Sequence, residues 1–158
     1  MIDSTPATAH PATMSDQIHA TCVELAGTGA LLRGPSGSGK SDLALRLIDR
    51  GARLVADDRV VLAAGADGVV ASAPPALAGM LEVRGLGLAR LPSIARARIG
   101  LVVDLAAAGE IERLPERASC ELLGTTIPCI RVDPFAASAC AKVRLAAEGL
   151  THDILVQP

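Results

Sequence analysis

From Gln17 onward the chain falls into short blocks of regular polarity. Ile18, Ala20 and Cys22 alternate with His19 and Thr21, the period-two pattern of a half-buried strand. Gly27-Thr28-Gly29 predicts a tight turn into a second strand, Ala30-Leu31-Leu32-Arg33. Between Ser41 and Arg50 the period lengthens. Leu43 with Leu47, and Ala44 with Ile48, form one apolar stripe of a helix, and Gly51 stands where a left-handed C-cap is wanted. Arg53 to Ala56 predicts a short strand ending at Asp57-Asp58. Val60 to Leu62 and Val69 to Ala71, flanking Gly65-Ala66-Asp67-Gly68, predict a hairpin. Ile99 to Val103 is an apolar run ending in Asp104, the signature of a buried strand. Thr126 to Val132 predicts another strand, and Phe135 to Glu148, after Pro134, a C-terminal helix. This order of strand, loop, helix and further strands predicts an α/β fold, a mixed sheet with flanking helices.

Residues 1–15 are small, polar and punctuated by proline, and are expected to form a disordered leader to one domain spanning 16–158. Half of the 158 residues are apolar, but Phe135 is the sole aromatic, so the core must be aliphatic. A chain with one aromatic ring is poorly suited to read single-stranded nucleic acid, which needs several stacking rings. A net charge of −2 gives no footprint for a nucleic acid or a membrane surface. Small molecules and proteins remain as partners. Cys22, Cys120, Cys129 and Cys140 form no CxxC pair and have no His at zinc-ligand spacing, so they are expected as reduced thiols. No uninterrupted apolar stretch is long enough to span a bilayer, and no signal peptide is visible, which makes the cytoplasm the default location.

Gly34-Pro35-Ser36-Gly37-Ser38-Gly39-Lys40-Ser41 fits the phosphate-loop pattern GxxxxGK[ST] in full. Glycines let backbone N–H groups turn inward around phosphate oxygens, and the helix that follows adds its own unsatisfied donors. Lys40 is expected to reach the outer phosphates of ATP, and the Ser41 hydroxyl to ligate Mg2+. A chance turn in a chain with 15 glycines is the competing explanation. Against it, an apolar strand precedes the loop, an amphipathic helix follows it, and Lys40 is one of only two lysines.

The loop does not say what the nucleotide is used for. No lysine follows an Asn, so the guanine-reading N-K-x-D segment of a GTPase is absent. An ordinary P-loop ATPase carries an apolar run ending in an Asp that orients magnesium. Two segments compete for that role, Leu54 to Asp57/Asp58 and Leu101 to Asp104. The first is doubled, so one carboxylate can organise metal while its neighbour accepts a proton. Asp104 can equally be a strand-end residue.

At this point the chain resembles a known family. From about Gln17 to its end it is similar to the catalytic domain of HPr kinase/phosphorylase, in a short form without that family's N-terminal domain. The matching segments are His19, GPSGSGKSDLALRLIDRGARLVADDRV through loop, helix and acidic pair, LEVRGLGLARL, and IERL around Arg113. The resemblance implies a phosphate-loop core related to phosphoenolpyruvate carboxykinase and a hexameric assembly. It implies ATP-dependent phosphorylation of a serine on the small phosphocarrier HPr or a paralogue, reversed with inorganic phosphate to give pyrophosphate. Within it, Asp58 is the general base, His19 a hydrogen-bonding partner of the acidic pair or of a phosphate, and Asp57 and Glu82 magnesium ligands beside Ser41. Gly85 and Gly87 would permit a close backbone approach, and Arg113 would neutralise the transferring phosphoryl group. Read alone, His19 is a strand histidine, Glu82 a surface charge, and Arg113 a member of a solvated cluster with Glu110, Glu112 and Glu116.

One segment departs from the family. Where longer members carry a basic VRPGRN-like stretch associated with dephosphorylation, this chain reads Val132-Asp133-Pro134-Phe135-Ala136-Ala137. Two other classes stay open: a small-metabolite kinase, with Arg90, Arg96 and Arg98 as its only lid arginines, and a nucleotide-gated module without transfer chemistry.

Overall fold

A computed structural model describes residues 14–152. Eleven strands and two α-helices follow in the order β1 (Met14–Ile18), β2 (Thr21–Leu25), β3 (Thr28–Arg33), α1 (Lys40–Asp49), β4 (Arg53–Ala56), β5 (Val60–Gly65), β6 (Gly68–Ser72), β7 (Met80–Val83), β8 (Gly87–Arg90), β9 (Arg96–Leu105), β10 (Ala118–Leu122), β11 (Thr125–Val132) and α2 (Ala139–His152). Nine strands form one mixed sheet, and β7 and β8 pair as a separate hairpin.

The long strand β9 organises the sheet. Arg96 to Arg98 pair antiparallel with β6, while the second half runs parallel to both β3 and β11. Such a strand must be apolar towards both faces, as the run ending at Asp104 suggested. Side chains alternate across β3 accordingly. Ala30 and Leu32 join Leu43, Leu47, Val143 and Ala147 under the helices, whereas Leu31 packs with Val60, Leu62 and Val69 on the other face. On α1 the buried residues are Lys40, Leu43, Ala44, Leu47 and Ile48, the expected stripe. The chain leaves the helix through Gly51, just past the Arg50 cap, with a φ of +106° that only glycine adopts readily.

The structure differs from the sequence reading in three places. The strand expected through Ile18, Ala20 and Cys22 is two strands. Ile18 pairs with Val60, but Thr21 pairs with Leu32, so the chain changes partners at His19 and Ala20. Met14 and Ser15, the last residues of the expected leader, pair with Ala64 and Ala63; the rest of that leader lies outside the described residues. The C-terminal helix begins at Ala139 rather than Phe135. Asp133 accounts for the delay: its carboxylate accepts the Phe135 N–H and its carbonyl the Ala136 N–H, closing a turn before the helix can start.

Candidate phosphoryl-transfer site

The glycine-rich segment connects β3 to α1, so the end of a central parallel strand delivers it to a helix N-terminus. Gly37 and Gly39 have φ of +79° and +103°, which turn the loop back on itself. At Gly34 the requirement is space, since an added Cβ would stand 2.5 Å from Ser38 Oγ. Lys40 is 9% exposed, and its ammonium donates to the carbonyls of Gly34 at 2.7 Å and Pro35 at 3.0 Å. It therefore spans the loop mouth and is not a solvated surface lysine. Ser38 Oγ is buried and has no hydrogen-bond partner among the described residues. A buried hydroxyl normally finds one, so this orphan donor points to a polar ligand within the loop.

The two acidic candidates separate cleanly. Ser41 Oγ donates to Asp57 Oδ1 at 2.8 Å, and Thr21 Oγ1 donates to the same oxygen at 2.8 Å. Asp57 is 7% exposed and Thr21 fully buried. Asp104 instead takes a bidentate pair from Arg33, Nε at 2.8 Å and Nη2 at 3.0 Å, together with Cys129 Sγ at 3.2 Å. Burial alone would raise the Asp104 carboxyl, but hydrogen bonds from Arg33 and Cys129 outweigh it and hold the group below its ordinary value. The same environment, burial first and then the Asp104 carboxylate, pushes the Cys129 thiol up to about 12. Asp104 is thus engaged at the strand ends, and the loop serine belongs to Asp57.

Asp58 turns the other way from Asp57. Its φ is +68°, a left-handed conformation that Asp tolerates better than most residues. Its carboxylate is exposed, with Oδ1 3.6 Å from His19 Nδ1. The break between β1 and β2 is what brings His19 here, opposite the turn that follows β4. Neighbours in sequence, the two carboxylates therefore occupy different environments, one buried against the loop serine and one open to solvent beside an imidazole.

Glu82 and Arg113 are not gathered into this group. Glu82 is exposed on β7 because Leu81 and Val83, its neighbours on the pleat, bury against the helical core. No group of three or more His, Cys, Asp or Glu is placed to hold a metal ion among the described residues. Arg113 lies in the exposed connection between β9 and β10, and neither side chain has a hydrogen-bond or ion-pair partner among the described residues. No ion pair joins Arg113 to Glu110, Glu112 or Glu116 among the described residues. Gly85 and Gly87 have φ of +89° and +111° with nothing within 4 Å of an added Cβ. Their positive φ suits the turn between β7 and β8.

Sequence reasoning overlooked Thr21 and Arg33. Pairing of Cys22 with Ala56 sets Thr21 opposite Asp57, and parallel register sets Arg33 opposite Asp104. Both are contacts between distant segments, and only strand register creates them. Oxygen donors on Ser41 and Asp57, already within hydrogen-bond distance, fit a hard divalent cation that takes its remaining ligands from phosphates and water.

Comparisons with known proteins bear on the family and the fold. The model of the HPr Serine kinase C-terminal domain family matches residues 11–147. The HPr kinase/phosphorylases of Burkholderia lata and Burkholderia cenocepacia are each 40% identical over 126 residues, covering 73% of this chain and 39% of those proteins. The chain thus spans about two fifths of the length of the curated relatives it matches. The solved Hpr(Ser) kinase/phosphatase from Coxiella burnetii shares the fold, with a TM-score of 0.76 and 23% identity over 87% of this chain and 99% of that one. With the match running from the first strands through the phosphate loop and into the last helix, this chain belongs to the HPr serine kinase C-terminal domain family.

Proposed function

We propose that residues 16–158 form the catalytic domain of an ATP- and Mg2+-dependent protein-serine kinase whose substrate is an HPr-like phosphocarrier protein. The observation that carries this reading is the hydrogen bond between Ser41 and Asp57, which joins the loop to the acidic pair while Asp58 stays exposed beside His19. A kinase needs three things in one place: a phosphate cradle, a metal position, and a base open to an incoming hydroxyl. Backbone N–H groups of the loop after Pro35 and the Ser38 hydroxyl hold phosphate oxygens. The Lys40 ammonium leaves its two carbonyls for the outer phosphates. Ser41 and Asp57 hold the metal, which when bound neutralises charge on the phosphate oxygens. Asp58 accepts the proton of the substrate serine, and His19 steadies its carboxylate. Glu82 as a further metal ligand and Arg113 as the cation on the transferring group are roles implied by the family. Arg113 stands in an exposed connection that a bound substrate must draw in, whereas Glu82 projects from a strand anchored by Leu81 and Val83.

A metabolite kinase with an arginine lid is the weaker reading. Arg96 and Arg98 lie in the half of β9 that pairs with β6, and Asp104 lies near its other end. At about 3.3 Å per residue they stand about 20–26 Å along the strand from the loop. The missing arginines of 132–137 favour a kinase-biased enzyme, because phosphorolysis must bring inorganic phosphate and a phosphoserine together with fewer cations. A cytoplasmic location and a homohexamer belong to the same proposal. The test is incubation with labelled ATP and a panel of HPr-like proteins. Transfer to one serine is expected, with weaker pyrophosphate formation in the reverse direction. Nucleotide binding without transfer to any of them would refute the kinase reading, and reverse turnover matching forward turnover at millimolar phosphate would refute the directional one.

A further inference from the structure

The chain has a single aromatic residue, and that residue is not in the core. Phe135 is 74% exposed. It is nonetheless held in place. Pro134 is buried, its carbonyl accepts a hydrogen bond from the Arg46 guanidinium, and Arg46 is itself fixed by Asp42 at 3.1 Å. The Phe135 N–H donates to Asp133 Oδ1 at 3.0 Å. An added Cβ on Gly39 would lie 3.3 Å from Pro134 Cβ and 3.4 Å from Phe135 Cζ, so the tip of the ring stands over the last glycine of the loop. Gly39, Asp42 and Arg46 share one face at the start of α1. The segment after β11 is therefore clamped along the side of the helix N-terminus, and it presents a ring there.

A triphosphate wrapped by this loop has its inner phosphates against the amides that open α1, with the sugar and base extending beyond them. An exposed ring on a tethered backbone beside Gly39 offers a flat apolar face within reach of the base. We infer that Phe135 is the stacking platform for the purine base of the bound nucleoside triphosphate, an inference that rests on the phosphate-loop reading above. Affinity gained this way comes from the π-face and does not distinguish adenine from guanine strongly.

The experiment uses the full chain and two probes, ATP and inorganic tripolyphosphate, each with magnesium. Phe135→Ala is expected to weaken ATP about 5- to 30-fold, the lower part of the range for aromatic–base stacking because one face is engaged, and to leave tripolyphosphate affinity unchanged. Phe135→Tyr should retain ATP affinity. Phe135→Trp places a single indole in a chain otherwise free of Trp and Tyr. Its fluorescence should be quenched by ATP and by GTP but not by tripolyphosphate. ATP affinity within twofold of wild type in Phe135→Ala would overturn the inference. So would an equal loss for both probes, or an effect confined to the KM of the protein substrate, which would make the ring a protein-docking residue. Failure of the wild-type chain to bind either probe would overturn the phosphate-loop reading itself and this inference with it.

Discussion

Replacing Asp58 and Asp104 separately by Asn should divide chemistry from stability. Asp58 is exposed, its one ionic neighbour is the equally exposed His19 at 3.6 Å, and its backbone lies at φ +68°. Asn adopts that conformation about as well as Asp, so Asp58→Asn removes the charge without adding strain and should change stability by less than about 0.5 kcal/mol. Loss of a general base should lower kcat by about 10²- to 10⁴-fold, with nucleotide affinity retained. Asp104→Asn has the opposite profile. It removes the charged acceptor of a bidentate Arg33 pair and of the Cys129 thiol. Hydrogen bonds to a charged group contribute about 1.5–3 kcal/mol when buried. The pair here is about one third exposed, which reduces the expected loss to about 1–2 kcal/mol. For a domain of this size that lowers Tm by about 3–8 °C, while kcat for the folded protein changes little. Thermal unfolding and single-turnover phosphorylation of HPr, run on the same preparations, measure both quantities. A severely impaired Asp104→Asn beside a nearly normal Asp58→Asn would refute the assignment and return the site to the ordinary P-loop ATPase plan.

Other outcomes follow from the same contacts. Lys40→Ala should abolish transfer and, because the ammonium is nearly buried on two carbonyls, also lower stability by about 1–2 kcal/mol; full turnover in the folded variant would refute its role. Gly39→Ala forces a side chain into φ +103° against Pro134 and Phe135 and should cost at least about 1–2 kcal/mol and most nucleotide binding, read by calorimetric titration and melting. The Asp104 carboxyl lies below its ordinary value in the folded chain, so its contribution is complete above the ordinary carboxylate range and disappears as pH falls through the folded value. The stability gap between wild type and Asp104→Asn, measured by denaturant titration, should therefore be constant near neutrality and narrow below about pH 4; a gap that widened in acid would contradict the pairing.

Much of the site was legible in the residues because its parts are local. The phosphate loop, the strand before it and the amphipathic helix after it form one continuous stretch, where spacing, glycine freedom and the change of period from two to 3.6 act over a few residues. The alternating and apolar runs of β3, β4, β5, β6 and β9 likewise declared an aliphatic core within a mixed sheet. What tertiary structure alone decided are contacts between segments far apart in the chain. Asp57 and Asp104 both end apolar strands and look alike in sequence. They are told apart because β4 pairs with β2, bringing Thr21 opposite Asp57, whereas β9 pairs with β3, bringing Arg33 opposite Asp104. The split of β1 from β2 at His19, and the turn at Asp133 that holds Phe135 over Gly39, are of the same kind. The physical reason is that a strand's own pattern specifies which faces it buries, while its neighbours and register are set by how the whole sheet closes over both cores.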